Sequence, residues 1–261
     1  MNRWNVRQDC AREVREDRCR DDPRRFLVLP LKDNVPTRTF PIVTVSLIAL
    51  NVVVWLWEWR TGVDNEVLRY GYYPCSVEGP CVDPAAAVHH LPWYESAFTC
   101  MFMHGSWIHI GGNMLFLWIF GNNVEDALGR VRFLIWYLVA GFAATAAQTI
   151  VTLGFSTPEG ASIPNVGASG AVAGVLGAYF VILPGASVLT AFIFIFIFLR
   201  EIPAVWFLGI WIIFQLWDGG FSILHPESGG GTAFFAHIGG FAFGLLTIRL
   251  LAKRPPLRPA W

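Results

Sequence analysis

Two polar side chains in the apolar part of this sequence are of the types that together hydrolyse peptide bonds. Ser169 lies in a Gly-Ala-Ser-Gly sequence and His237 follows an alanine, each near the start of a long apolar stretch. A serine hydroxyl becomes a nucleophile when a base within hydrogen-bond reach removes its proton, and histidine is the commonest base. Polar groups inside a membrane are costly and are therefore usually functional. We interpret Ser169 as a nucleophile and His237 as its general base.

A second polar cluster opens another apolar stretch and contains His104, His109 and Asn113. His109 and Asn113 are four residues apart and so lie on one helical face. A ring N–H and a side-chain amide can both donate to the oxyanion of a tetrahedral intermediate. His104 lies about 140° around the same helix from His109, which predicts a supporting role. No aspartate or glutamate lies nearby to orient the base, so the pattern predicts a dyad and not a triad.

Small residues follow both the serine and the histidine at helical spacing: Gly170 and Gly174 after the first, Gly240 and Gly244 after the second. Such stripes let two membrane helices approach closely. They predict direct packing of the serine helix on the histidine helix. With Gly167, Gly170 is also a candidate supporting residue of the site.

The composition is that of a membrane protein, with 54% hydrophobic residues, 15% charged residues and a mean hydropathy of +0.48. Six stretches approach the length of roughly 20 residues that crosses a bilayer as a helix: 40–57, 98–120, 133–154, 166–183, 203–217 and 232–251. We therefore expect an all-α bundle of six membrane-spanning helices. A further apolar run, 188–199, is too short to span and predicts an interfacial or partly buried connector. Gln148 and Gln215 are isolated amides, interpreted as helix–helix contacts.

The positions of Lys and Arg predict the orientation. With six spans, most of the 19 basic residues fall on the side that carries both termini, which predicts cytoplasmic termini. The expected organisation is a charged tail over residues 1–39, a six-helix domain over 40–252 and a short basic tail over 253–261. Ser169 and His237 then open to the non-cytoplasmic side of a plasma or inner cell membrane.

Cysteine spacing predicts no metal site, and no cofactor or nucleic-acid partner is expected. Cys75 and Cys81 share the first long loop, on the side where a disulfide could persist. The sequence leaves two alternatives open at this place, a disulfide and a pair of free thiols.

Several ordered motifs make the sequence similar to the rhomboid family of intramembrane serine proteases, over nearly all of residues 27–252. They are Pro-Ile-Val-Thr at 41–44, the His104, His109 and Asn113 array, 121–129, Gly167–Gly170, and the Ala-His-x-x-Gly-x-x-x-Gly sequence at 236–244. The resemblance implies a six-helix fold and cleavage of other proteins' transmembrane segments. It assigns Ser169 and His237 as the dyad, and His109 and Asn113 as the oxyanion hole.

The sequence departs from the family pattern at one position beside the nucleophile. Many members carry an aromatic residue four positions after the nucleophile, where it packs on the catalytic histidine, but Ala173 stands there. The means of holding His237 is therefore an open question at this stage.

Two other functions fit parts of the pattern. One is a catalytically inactive relative that binds membrane clients, although such relatives typically lose the serine or histidine. The other is a transporter or metal channel with His104, His109 and His237 as ligands.

For a protease, the expected partners are the lipid bilayer and transmembrane protein substrates. Span five and the loop 218–231, including Gly229–Gly231, are expected to form a lateral gate and a cap. The sequence does not indicate an oligomeric state.

Overall fold

The computed structural model describes residues 27–79, 81–82, 91–193, 196–225, 233–257 and 259. A helix lies on each of the six predicted stretches: α1 Ile42–Thr61, α2 Trp107–Leu128, α3 Arg130–Phe155, α4 Ser169–Ile182, α5 Ala204–Leu224 and α6 Phe234–Leu251. Within these ranges α1, α3, α5 and α6 are long and apolar enough to cross a membrane. α4 has only 14 residues. Residues 1–26 of the predicted charged tail, and Gly229–Gly231 of the predicted cap, lie outside the described residues.

The fold is mostly helical, as expected, but it is not all-α, because three strands form an antiparallel sheet. The strands are β1 Leu27–Asp33, β2 Ser187–Ile193 and β3 Ile197–Pro203, in the order β1-β2-β3. β2 and β3 come from the short apolar run predicted as a connector, which is rich in β-branched and aromatic residues that favour strands. Residues 27–33 of the predicted tail are thus folded.

A buried carboxylate attaches the sheet to the helices. Asp33 Oδ2 accepts hydrogen bonds from the Tyr179 hydroxyl of α4 and from Asn123 Nδ2 of α2, both at 2.7 Å. Burial raises the pKa of the Asp33 carboxyl to about 6, and the bond from Tyr179 opposes this shift. β1 is therefore tied to the C-terminal part of the same helix that begins at Ser169.

A second carboxylate, Glu125 of α2, caps the start of α1. It accepts hydrogen bonds from the backbone N–H groups of Val43 (3.1 Å) and Thr44 (2.8 Å), and from the Thr44 hydroxyl (2.8 Å). The first N–H groups of a helix have no partner within the helix. Glu125 satisfies two of them in a place where water is scarce, and so fixes α1 against α2.

The first long loop is tied to the segment that precedes α4. Tyr72 and Asn165 exchange two backbone hydrogen bonds, of 3.0 and 2.7 Å. The Tyr72 hydroxyl also bonds Thr149 Oγ1 of α3 at 2.8 Å. In the same loop, the structure joins Cys75 and Cys81 in a disulfide. The irregular backbone that leads to the serine is therefore held between this loop and α3.

The closest helix packing in the molecule brings α4 against α6. A Cβ added to Gly240 would strike the carbonyl oxygen of Gly170, and one added to Gly244 would strike that of Gly174. On the other side, Ala144 of α3 faces Gly170 so closely that an added Cβ there would lie 2.6 Å from its side chain. Glycine is thus required at these places by the closeness of neighbouring backbone.

Replacing Gly244 by alanine tests this packing. Because the new Cβ would meet backbone that cannot rotate away, we expect Gly244→Ala to lower the free energy of unfolding by about 1–3 kcal/mol. The matched control is Gly220→Ala on α5, where an added Cβ meets nothing within 4 Å. Unfolding in detergent micelles measures both variants, and equal stability of the two would contradict close packing of α4 on α6.

Candidate active site

Ser169 is the first residue of α4, and the backbone just before it turns sharply. Gly167 has φ +126°, a conformation that L side chains rarely adopt, and its N–H donates to the Cys100 carbonyl at 2.8 Å. A Cβ at Gly167 would also lie 2.6 Å from His109 Nε2. The glycine thus lets the chain enter α4 directly beside the His109 ring, with Ser169 at the head of the helix.

The serine and the histidine meet across the contact between α4 and α6. Ser169 Oγ lies 2.9 Å from His237 Nε2, which is hydrogen-bond distance. His237 lies in the first turn of α6, and the glycines described above bring this turn beside Ser169. The two predicted residues are therefore adjacent in space although 68 positions separate them.

The side of the His237 ring away from Ser169 is contacted by α5, and the sequence pattern did not predict this contact. Gln215 Oε1 lies 2.7 Å from His237 Nδ1, and the Trp211 ring centroid lies 5.8 Å from that of His237 at an interplanar angle of 39°. Ala173 is buried on α4 and is too small to support the ring. The spacing of Trp211 and Gln215, four residues apart on one face of α5, was the signal available in the sequence.

Asn113 and His109 supply donors on the third side of the site. Asn113 is buried, and its Nδ2 has no hydrogen-bond partner among the described residues. The Gly105 N–H donates to His109 Nδ1 at 3.5 Å, an arrangement that favours the proton on Nε2. His109 Nε2 then faces the Gly167 turn as an N–H donor. Both groups can donate hydrogen bonds to a developing oxyanion.

These side chains line one cavity of about 430 Å³. Its wall includes Ser169 and His237, the two candidate oxyanion donors, and Trp211. The remaining lining residues are Gly105, Ile108, Gly112, Phe116, Pro164, Asn165, Val166, Val172, Ala173, Leu176 and Ala233. The mixture of apolar wall and convergent polar groups is typical of a ligand-binding site.

His104 lies behind this cavity and not in its wall. It is fully buried, its backbone N–H donates to both Glu58 carboxylate oxygens at 3.1 and 3.2 Å, and its Nδ1 lies 3.2 Å from the Phe102 carbonyl. Its ring meets that of His109 edge-on at 5.1 Å. His104 therefore packs on His109 and fixes the entry to α2, a different role from that of a metal ligand.

Gln148, predicted as a helix–helix contact, also acts at the start of α6. Its Oε1 accepts a hydrogen bond from the Ala236 N–H at 3.1 Å, and its Nε2 donates to Thr152 Oγ1 at 2.9 Å. The Ala236 N–H belongs to the first turn of α6, where it also donates to the Ala233 carbonyl at 3.1 Å. α3 thus caps the helix that presents His237.

Comparison with known proteins places the site in a family context. A family model described as the Rhomboid domain matches residues 92–254, which include all the cavity residues named above. A zebrafish protein named presenilin-associated rhomboid-like protein A, mitochondrial, is 30% identical over 226 residues, covering 83% of this chain and 51% of the relative.

Two further relatives are shorter matches. Rhomboid-like protein 11, chloroplastic, of Arabidopsis thaliana is 30% identical over 181 residues, covering 64% of this chain and 56% of the relative. Rhomboid protein 1, mitochondrial, of Saccharomyces cerevisiae is 31% identical over 150 residues, covering 56% of this chain and 38% of the relative. The chain spans about half the length of the curated relatives it matches.

These names correct one expectation. A plasma or inner cell membrane was predicted from the charge pattern, but each of the three relatives is named as a mitochondrial or chloroplast protein. They point to an organellar membrane, and the predicted location is wrong. The charge pattern failed because Lys and Arg report which side a loop lies on and carry no information about which membrane is crossed.

Proposed function

This chain belongs to the rhomboid family, and on that premise we propose that it is an intramembrane serine endopeptidase that cleaves other membrane proteins in or near their transmembrane segments. The observation that carries the proposal is the 2.9 Å separation of Ser169 Oγ and His237 Nε2 at the wall of an apolar cavity. A catalytically inactive relative would not need a serine and a histidine at hydrogen-bond distance beside two candidate oxyanion donors.

The proposed reaction follows the chemistry of acyl transfer. His237 Nε2 takes the proton of the Ser169 hydroxyl as Oγ attacks the scissile carbonyl carbon. The carbonyl oxygen becomes an oxyanion, which accepts hydrogen bonds from Asn113 Nδ2, His109 Nε2 and the Ser169 backbone N–H. His237 then gives its proton to the leaving amine as the C–N bond breaks. A water molecule, deprotonated by His237, hydrolyses the acyl-enzyme and regenerates the serine.

We further propose that all six long helices cross the membrane and that both termini lie on one side. The 14-residue α4 is short for a span, but the irregular segment before it sits between α3 and the first loop. Backbone of this kind is tolerated at membrane depth where protein buries it or where it lines a wet cavity. Such a cavity would bring hydrolytic water to Ser169. Residues 40–252, together with β1, would then form the protease domain, followed by the short tail 253–261.

The substrates that this site fits are transmembrane helices that can unwind locally. Peptide-bond attack requires an extended segment in the cavity, whereas an intact helix hides its carbonyl groups in hydrogen bonds. We therefore expect cleavage near glycine, proline or other residues that weaken a helix. An organellar membrane is the proposed location, on the basis of the relatives' names.

Cleavage of a model transmembrane substrate tests the proposal. In proteoliposomes we expect the wild type to cut, and Ser169→Ala and His237→Ala each to lose at least ~10³-fold in rate, because both act in every turnover. Ser222→Ala, which removes a hydroxyl on α5 bonded to the Gly219 carbonyl, is the matched control and should cut normally. Binding of the substrate without cleavage by the wild type would instead favour an inactive client-binding protein.

Asn113→Ala tests the oxyanion donor separately from the dyad. We expect a loss of roughly 10²–10³-fold in kcat, the usual effect of removing one such donor. Because Asn113 Nδ2 bonds none of the residues that the structure describes, the unfolding midpoint should change little. Asn51→Ala on α1, another buried amide, is the control for activity. An unchanged cleavage rate in Asn113→Ala would remove this residue from the site.

A further inference from the structure

The contact between His237 and α5 has a chemical consequence beyond packing. We propose that the Gln215 carbonyl fixes the tautomer of His237, so that a neutral amide on α5 does for this base what a carboxylate does in a Ser-His-Asp triad. The inference rests on the proposed function of Ser169 and His237. Its geometric basis is the 2.7 Å separation of Gln215 Oε1 and His237 Nδ1.

A neutral imidazole carries one proton, and its position decides whether the ring can act as a base. His237 Nε2 faces the Ser169 hydroxyl at 2.9 Å. To remove that proton, Nε2 must carry a lone pair, and the ring proton must then be on Nδ1. An Nδ1–H inside the site needs an acceptor, and Gln215 Oε1 is the acceptor at hydrogen-bond distance. The reverse tautomer would donate Nε2–H to the serine and could not activate it.

The orientation of the Gln215 amide therefore decides which nitrogen of the His237 ring carries the proton. With the carbonyl oxygen towards the ring, Nδ1 donates and Nε2 is the base. With the amide reversed, the NH₂ group would face Nδ1 and the proton would be held on Nε2. The same bond also serves the charged state, because imidazolium then donates Nδ1–H to Gln215 and Nε2–H to the leaving amine. No proton moves to the glutamine at any step.

A neutral orienting group suits this place in the molecule. An ionised carboxylate beside His237 would carry a large desolvation cost within the membrane, whereas an amide carries a smaller one. The side chain that might have held the ring from α4 is also missing, since Ala173 stands there. Trp211 and Gln215, on one face of α5, together hold the ring that α4 leaves without support.

The position of the His237 ring depends on the packing of α5. Within α5, all of whose residues the structure describes, the buried ones are Ala204, Leu208 and Gly219. The helix is thus mostly exposed along its length. The Gln215 side chain makes a specific polar contact from α5 to α6. A simple role as helix–helix contact would be satisfied by any bond between the two helices. The tautomer role requires an acceptor at this one position.

Nitrogen-15 NMR of histidine-labelled protein separates these two roles. Chemical shifts distinguish a protonated ring nitrogen from a bare one, and His237→Ala assigns the signal. In the resting wild type we expect Nδ1 to be protonated and Nε2 bare. Gln215→Met, similar in size and without an acceptor, should lose this preference. Gln215→Glu, which keeps an acceptor oxygen, should retain it.

Kinetics on the same variants give the second readout. We expect Gln215→Met to lower kcat about 10²-fold, the lower end of what a positioned general base contributes, with KM within about threefold of the wild type. Gln215→Glu should keep at least about a tenth of kcat, because the acceptor remains. Gln148→Met is the matched control for losing a membrane amide bonded to α6, and should keep the wild-type tautomer.

The proposal is overturned if Nε2 carries the proton in the wild type, or if Gln215→Met changes neither the tautomer nor kcat. A fall in kcat without a change of tautomer would assign Gln215 to helix packing alone and would also overturn it. The NMR readout needs no turnover, so a wild type that fails to cleave would refute the proposed function and leave the tautomer question answerable on its own.

Discussion

The direct contact of the α4 and α6 backbones is the constraint on which the rest of the site depends. Gly240 and Gly244 lie against the carbonyl oxygens of Gly170 and Gly174. Only this approach brings the first turn of α6 within hydrogen-bond distance of the head of α4. Helices in lipid gain no hydrophobic stabilisation from each other, so small residues and close packing must supply the association. The same glycines that hold the bundle together therefore set the distance between Ser169 and His237.

Polar groups satisfied by neighbouring elements complete the frame around this contact. Glu125 caps α1, Gln148 caps α6 and Asp33 joins β1 to α2 and α4. Each bond satisfies a backbone or side-chain group that water would serve in a soluble protein. Among the described residues, Asn113 Nδ2 is the buried donor without a partner that belongs to a residue of the cavity wall. An unpaired donor is costly at rest and becomes useful when an oxyanion forms beside it.

Much of this could be predicted from the sequence, because the signals are local. Hydropathy located the six long helices that the structure describes. The glycine spacing indicated that the serine helix would pack on the histidine helix. The pairing of β1 with β2 could not be predicted, since Leu27 and Ile193 lie far apart in the chain and neither segment carries a turn signal linking them. The role of Gln215 was only partly indicated, by its spacing of four residues from Trp211. An amide in a span usually bonds another helix, and only the fold reveals that its partner is the His237 ring.

Labelling by a serine-directed fluorophosphonate tests the central claim, that His237 activates Ser169, without needing a known substrate. Attack on the phosphorus atom requires a deprotonated hydroxyl, as peptide cleavage does. Intact-protein and peptide mass spectrometry would follow the adduct in the wild type and in His237→Ala. The account predicts a single adduct on Ser169 in the wild type and almost none in the variant. Equal labelling of Ser169 in both proteins, or an adduct on a different serine, would contradict it.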